Sequence, residues 1–186
     1  MQKLSEMSLA ELWELFPISL KEANAGWENQ FNEEKAVLET LLKDFKVCIH
    51  HVGSTAIGGI KAKDIVDILL QTETFTDMLK IADALSVNGY IVMSKTETRI
   101  SLNKGYTENG FADKVFHLHL RLRGDNDELY FRDYLREYPL VAREYERLKV
   151  GLAEKYKNDR DGYTQAKTEF IQKYTVLAKQ IYEKRY

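Results

Sequence analysis

Val47-Cys48-Ile49-His50-His51-Val52-Gly53-Ser54-Thr55-Ala56-Ile57-Gly58-Gly59-Ile60, followed closely by Ile65-Val66-Asp67-Ile68-Leu69-Leu70, carries most of the structural information in this chain. Val47 to Val52 is β-rich and reads as a strand. The densest glycine stretch of the sequence follows it at once. A glycine-rich loop after a strand can aim backbone N–H groups at a phosphate, and Ser54 and Thr55 add hydroxyl donors. It can equally be a tight connection, since glycine suits any strained turn. It is not a Walker A loop, because Gly58 is followed by Gly59-Ile60 rather than Lys-Ser/Thr, and no G-x-G-x-x-G occurs. The run Ile65–Leu70 is almost wholly apolar and suits a strand covered on both faces. Asp67 breaks it. A carboxylate is costly to bury unpaired. Asp67 therefore pairs with backbone donors or a lysine such as Lys61 or Lys63, or it binds a metal.

Val115 to Arg123 shows the clearest period of two in the sequence. Phe116, Leu118, Leu120 and Leu122 alternate with His117, His119, Arg121 and Arg123. One face is core and the other strongly polar. Cationic groups in such a row repel one another unless solvent or an anion faces them. The face is thus a water-exposed sheet edge, or one wall of an anion or metal-nucleotide cleft with Asp67 on a neighbouring strand. A zinc site drawing on Cys48, His50 and His51 lacks a recognisable ligand spacing.

Around this centre the pattern is helical. Ser8 and Glu11 have capping-box spacing before Leu9, Leu12, Trp13 and Phe16. Ile18 and Leu20 suit a short extended piece. A long helix is expected over 27–45 and another over 76–87. Strands are expected over 90–93 and 98–103, with 104–113 as a hairpin turn. Helices are expected over 127–138, from Pro139 to about Tyr156, and from about Gly162 to Tyr186. The expected architecture is α+β: a small mixed sheet flanked by helices, with a helical C-terminal segment. It forms one domain over 1–186, with a helical arm over about 1–45, a sheet-containing core over about 46–124 and C-terminal helices over about 125–186.

The chain has 186 residues, 27 basic and 29 acidic side chains and a formal net charge of −2. Extended nucleic acid is a poor ligand for such a balance, because non-specific affinity needs a basic excess that displaces counterions. Any phosphate site must be local. The single Cys48 precludes an intramolecular disulfide and points to a reducing, cytoplasmic setting. No apolar run reaches the roughly 20 residues of a membrane helix. The start carries acids among its apolar residues, unlike a signal peptide. The aromatic residues of the C-terminal half, among them Tyr134, Tyr145, Tyr163 and Tyr174, fall at helical spacings and read as helix–helix packing.

The segment His51-Val52-Gly53-Ser54-Thr55-Ala56-Ile57, Gly59, Ala62-Lys63 and Ile65-Val66-Asp67-Ile68 resembles the signature of the GrpB family. Two positions depart from it: Gly58 and Asp64 stand where the family usually has proline. Further matches follow in order. They are Trp27 and Phe31, Phe116-His117-Leu118-His119-Leu120, Phe131-Arg132-Asp133-Tyr134-Leu135-Arg136, Leu148-Lys149, Tyr163 with Ala166-Lys167, and Phe170-Ile171. The resemblance spans roughly 18–175. It implies the DNA polymerase beta-like nucleotidyltransferase superfamily, and some family members are fused to dephospho-CoA kinase. In that superfamily a Gly-Ser turn grips nucleotide phosphates, and three carboxylates hold two Mg²⁺ ions. Carried over by position, Gly53-Ser54 matches the turn and Asp67 the first carboxylate. The second falls at Leu69, and the third at His117 or His119. Ser54 and Asp67 are then the catalytic candidates. Gly53, Ser54, Thr55, Lys63, Arg121 and Lys167 are the nucleotide or phosphate contacts, and Asp67, His117 and His119 the ligands of Mg²⁺ or Mn²⁺. Two functions follow. One is a nucleotidyltransferase-fold protein that binds a nucleotide or related phosphate ligand and transfers a nucleotidyl group. The other is a catalytically degenerate binding module linked to nucleotide or CoA metabolism.

Overall fold

The computed structural model describes residues 3–186, so the first two residues of the expected helical arm lie outside it. Ser8 caps α1 (Leu9–Leu15). Its hydroxyl accepts from the Glu11 amide, and its own amide donates back to the Glu11 carboxylate at 2.8 Å, the reciprocal pair expected from the spacing. The extended piece after it is β1 (Leu20–Lys21), which pairs antiparallel with β3 (Ala62–Lys63). Helix α2 (Gly26–Leu41) stops short of the expected Phe45. A tight turn follows, with the Phe45 amide on the Leu42 carbonyl at 2.9 Å. The Trp27 side chain is buried, and its indole N–H donates to Asp64 at 2.7 Å. Asp64 thus has a role that a proline at this position could not fill, since proline has no side-chain acceptor.

Strands β2 (Val47–Val52), β4 (Val66–Thr72), β5 (Ile91–Lys95), β6 (Arg99–Thr107) and β7 (Gly110–Leu122) form a five-stranded sheet in the order β2-β4-β7-β6-β5. Only the central β4–β7 pair is parallel. Helix α4 (Phe75–Ser86) begins the crossover that a parallel pair requires. The stretch 104–113 is not a long turn. Both strands run through most of it and leave only Glu108 and Asn109 between them. A bulge at Gly105, at φ +90°, lets the pairing continue, and a side chain there would run into the Lys114 carbonyl. The glycines near 105 and 110 mark a bulge and a hairpin end, which composition alone does not separate from a loop.

The sheet has two covered faces. Val66, Ile68, Leu70, Phe116, Leu118, Leu120, Ile100 and Leu102 form one core with α2 and α4. The other face lies under the C-terminal helices α5 (Asp127–Glu137), α6 (Pro139–Lys155), α7 (Arg160–Ala166) and α8 (Thr168–Tyr182). These helices pack on one another through Tyr130, Phe131, Tyr134, Tyr145 and Tyr174, joined by Ile57 and Ile60. The expected single helix from 162 onward is broken. Asp159 caps α7 by accepting from the Gly162 amide at 2.8 Å, and the chain turns again at Lys167. No helix among the described residues is long and apolar enough to cross a membrane.

Leu69 is fully buried with Val52 and Leu129 and anchors α5 to the sheet. A carboxylate there would put a charge in place of that apolar packing. Leu69→Asp is expected to lower unfolding stability by at least about 3 kcal/mol in urea titrations.

Candidate active site: a carboxylate among converging cations

The parallel register sets Asp67 of β4 opposite His117 of β7, with Leu69 opposite His119. Both imidazoles reach the same carboxylate oxygen. His119 Nε2 lies 3.1 Å from Asp67 Oδ1, and His117 Nδ1 lies 3.5 Å from it. The remaining ring nitrogens fix which hydrogens face Asp67. The Tyr106 hydroxyl accepts from the Arg160 guanidinium at 2.9 Å, so its own proton goes to His117 Nε2 at 2.8 Å. That leaves an N–H at His117 Nδ1 directed to Asp67. Arg121 presents its guanidinium to His119 Nδ1 at 3.5 Å, which places the second N–H at Nε2, again towards Asp67. Burial pushes the Asp67 carboxyl up, but the two imidazole bonds outweigh it and hold the carboxyl below the usual carboxylate range. Burial lowers His117 to about 4, against the pull of Asp67, so the ring is neutral at physiological pH.

Gly53 follows β2 directly and opens α3 (Gly53–Ile57), a single helical turn in what reads as a loop from sequence. Its φ is +70°, and a Cβ at this position would collide with Asp67, 2.8 Å from both its Cβ and its Cγ. Glycine is therefore required twice over, by backbone conformation and by the approach of the carboxylate. Ser54 lines the cleft and its hydroxyl interacts with that of Tyr145 from α6. Thr55 does not reach the cleft. It is buried, and its hydroxyl is paired with His51 Nε2 at 2.9 Å. His51 is in turn stacked on Phe31, with ring centroids 4.8 Å apart, and lies 3.1 Å from Glu28. His51 and Thr55 thus hold the turn in place from behind rather than offering donors to a ligand or zinc.

The cleft between sheet and C-terminal helices has a volume of about 610 Å³, within the usual range for small-molecule sites. Lys63, Lys149, Lys167 and Arg160 converge on it. Among the described residues none of the three lysines makes an ion pair. Lys63 and Lys167 lie over the Tyr163 ring, at 5.6 and 4.2 Å from its centroid. Lys149 is 2% exposed and donates to the Lys61 carbonyl. Burial lowers Lys63 to about 7, helped by repulsion from Arg160 and Lys167. Burial likewise lowers Lys149 to about 7 and Lys167 to about 8. Arg121, expected as a phosphate contact, is turned away. It is 5% exposed, bonds the carbonyls of Ile100 and Leu120, and faces Glu128 at 3.5 Å. It positions His119 instead.

Sequence reasoning missed Lys149 and Arg160 as site residues. Lys149 had a usable signal: with Ala142 and Tyr145 it falls on the buried stripe of α6, where a lysine is out of place. Arg160 had none, since it reaches the cleft only because α7 folds back over Phe16 and Tyr106.

The donor set does not fit the expected magnesium or manganese. These ions take oxygen ligands in octahedral geometry. Here one carboxylate stands alone, and Leu69 is sealed under Leu129. His119 could bind a metal at Nε2 only by carrying its proton at Nδ1, against the Arg121 guanidinium. Among the described residues no group of three or more His, Cys, Asp and Glu is arranged to hold a metal ion.

A mixed sheet with a Gly-Ser turn after one strand and an aspartate on its neighbour is the arrangement of a nucleotidyltransferase-like fold. Consistent with this, the chain superposes on an RNA terminal uridylyl transferase, Cid1, with a TM-score of 0.50 at 13% identity, over 80% of this chain and 44% of that one. That likeness concerns the fold alone. The chain belongs to the GrpB family, whose profile matches residues 17–176. It is 39% identical over 152 residues to the glutamate-rich protein GrpB of Alkalihalophilus pseudofirmus, covering 78% of this chain and 87% of that one. It is 31% identical to the UPF0157 protein YqkA of Bacillus subtilis, over 91% of this chain and 50% of that one. The crystal structure of the conserved protein GrpB from Enterococcus faecalis matches with a TM-score of 0.77 at 28% identity, over 89% of this chain and all of that one.

Two outcomes test this geometry. Gly53→Ala is expected to destabilise the fold by more than about 1 kcal/mol, measured by chemical denaturation, because strain and collision with Asp67 add. Lys63→Met is expected to stabilise it by removing a half-buried cation that has no ion pair, raising Tm by about 2–4 °C for each kcal/mol gained. The folded-state value of Lys63, about 7, lies below the ordinary 10.5, so the unfolded chain binds the extra proton between them. The gain from Lys63→Met is therefore largest at and below pH 7 and vanishes as pH approaches 10.5.

Proposed function

We propose that the cleft binds a nucleotide or a related small phosphate-bearing ligand. The observation that carries this reading is the convergence of Lys63, Lys149, Lys167 and Arg160 on one cavity without paired acids. Such cations are costly to bury, and an anionic ligand is what makes their placement favourable. Ser54, at the cleft wall beside Tyr145, adds a hydroxyl contact to the ligand. Asp67 orders the floor through its two imidazoles. The protein works in the cytoplasm, a setting that the lone Cys48 supports.

Binding is favoured over nucleotidyl transfer by a specific residue. Leu69 occupies the position of the second carboxylate and is built into the packing of α5. Two-metal transfer needs an acid there. The protein is thus read as a ligand-binding relative of transferases, with a connection to CoA metabolism proposed from the family's fusions to dephospho-CoA kinase.

A melting-temperature screen over nucleoside mono-, di- and triphosphates, pyrophosphate and dephospho-CoA tests the reading. At a ligand concentration about 100 times Kd the expected rise is about 5–10 °C. The rise is expected to disappear in Lys149→Met. If no phosphate compound shifts Tm, the proposal fails.

The anion must be met by charged lysines, and the lysines at 63, 149 and 167 lose their protons between about 7 and 8. Asp67, Asp127, Glu128, Asp161 and Arg160 line the same cleft, and Glu146 acts on Lys149 from outside it. Affinity is therefore expected to fall as pH rises through this range. Calorimetry near neutral pH in buffers of different ionisation enthalpy should show proton uptake on binding.

A further inference from the structure

We propose that the cleft takes its phosphate ligand as the metal-free anion, with Lys63, Lys149, Lys167 and Arg160 supplying the positive charge that the superfamily resemblance assigns to magnesium. This rests on the phosphate reading above and specifies the ionic form of the ligand.

Three observations carry it. The first is the closed hydrogen-bond circuit around Asp67. One oxygen of its carboxylate is engaged by both imidazoles, at 3.1 and 3.5 Å. Each imidazole has its opposite nitrogen tied up, by Tyr106 at 2.8 Å and by Arg121 at 3.5 Å. The nitrogens that face Asp67 therefore carry hydrogens rather than lone pairs, and a metal needs lone pairs. The second is Leu69. The site cannot regain its second carboxylate by a rotamer change, because the residue there is apolar and sealed under Leu129.

The third is the charge inventory. Three ammonium groups and a guanidinium come from four separate places: β3, α6, α7 and the junction between α7 and α8. Lys149 is held by the Lys61 carbonyl, and Arg160 by the Phe16 carbonyl at 3.0 Å and by Tyr106. They are directed into the cavity by backbone and ring contacts rather than by ion pairs; of the acids that line it, Asp127 is paired with Lys179 and Glu128 with Arg121, which leaves Asp67 and Asp161 facing these four cations. A magnesium chelate of a nucleotide brings fewer net negative charges to this wall than the free anion. The cleft therefore discriminates in favour of the free anion, since opposite charges in a partly desolvated site interact far more strongly than in water.

Isothermal titration of the full chain with inorganic pyrophosphate and with ATP, each in EDTA and in excess magnesium, separates the possibilities. The expected result is binding in EDTA that magnesium weakens by sequestering the ligand. Lys167→Met, at the break between two helices rather than deep in the packing, is expected to weaken it roughly tenfold with its circular dichroism spectrum unchanged. Binding seen only with magnesium would overturn the metal-free form while leaving the phosphate site standing. No binding under either condition would remove the phosphate reading and this inference together. A direct arm uses the metal alone: manganese added to the protein should remain fully free by electron paramagnetic resonance, and bound manganese that is lost in Asp67→Asn would also overturn the proposal.

Discussion

The Asp67 carboxylate, gripped by His117 and His119, is the interaction around which this structure is arranged. It is where β4 and β7 meet in register, and it presses against Gly53, the only residue type that the strand-to-helix turn can accommodate there. Its field reaches Lys63, Lys149 and Lys167 alike. Remove its charge and the lysines have still less to offset their burial. The imidazoles turn N–H groups to Asp67 because Tyr106 and Arg121 hold their other nitrogens. A chain of contacts therefore runs from α7, through Arg160 and Tyr106, to the floor of the cleft.

The cations around that floor place function in opposition to stability. A buried lysine with no acid beside it lowers the stability of the empty protein, and the larger core on the opposite sheet face makes that tolerable. The near-neutral net charge of −2 conceals this arrangement. Four cations without ion pairs converge on one cavity, facing Asp67 and Asp161. A small anion fits that distribution, and a long polyanion does not.

Leu69 shows how a fold can outlive part of its chemistry. At a position where the superfamily resemblance implies a metal-binding acid, the side chain packs against Val52 and Leu129 and fastens a helix to the sheet. The same helix carries Glu128, which faces Arg121, and so helps to orient His119. Structural packing and site geometry are coupled through this one apolar contact.

Much of this was legible along the chain. The period of two in β7, the β-rich run of β2, the capping box at Ser8 and the glycines after Val52 each follow from local rules of backbone and burial, and they sufficed for an α+β sheet; it was the family resemblance that grouped Gly53, Ser54, Asp67, His117 and His119 into one site. Lys63 and Lys167 were also named from sequence. What local rules could not supply was direction. Thr55 looks like a phosphate donor but faces His51. Arg121 shares a strand face with the histidines but is held back by carbonyls and Glu128. Lys149 and Arg160 belong to the cleft only because α6 and α7 fold over the sheet; the apolar stripe of α6 marks Lys149 as misplaced, and nothing near Arg160 marks it at all. The sequence by itself determined which strand faces are polar, because that depends on residues one or two positions apart. Only the tertiary structure decided which polar groups meet, because the partners of each hydrogen bond are set by helices distant in the chain and close in space.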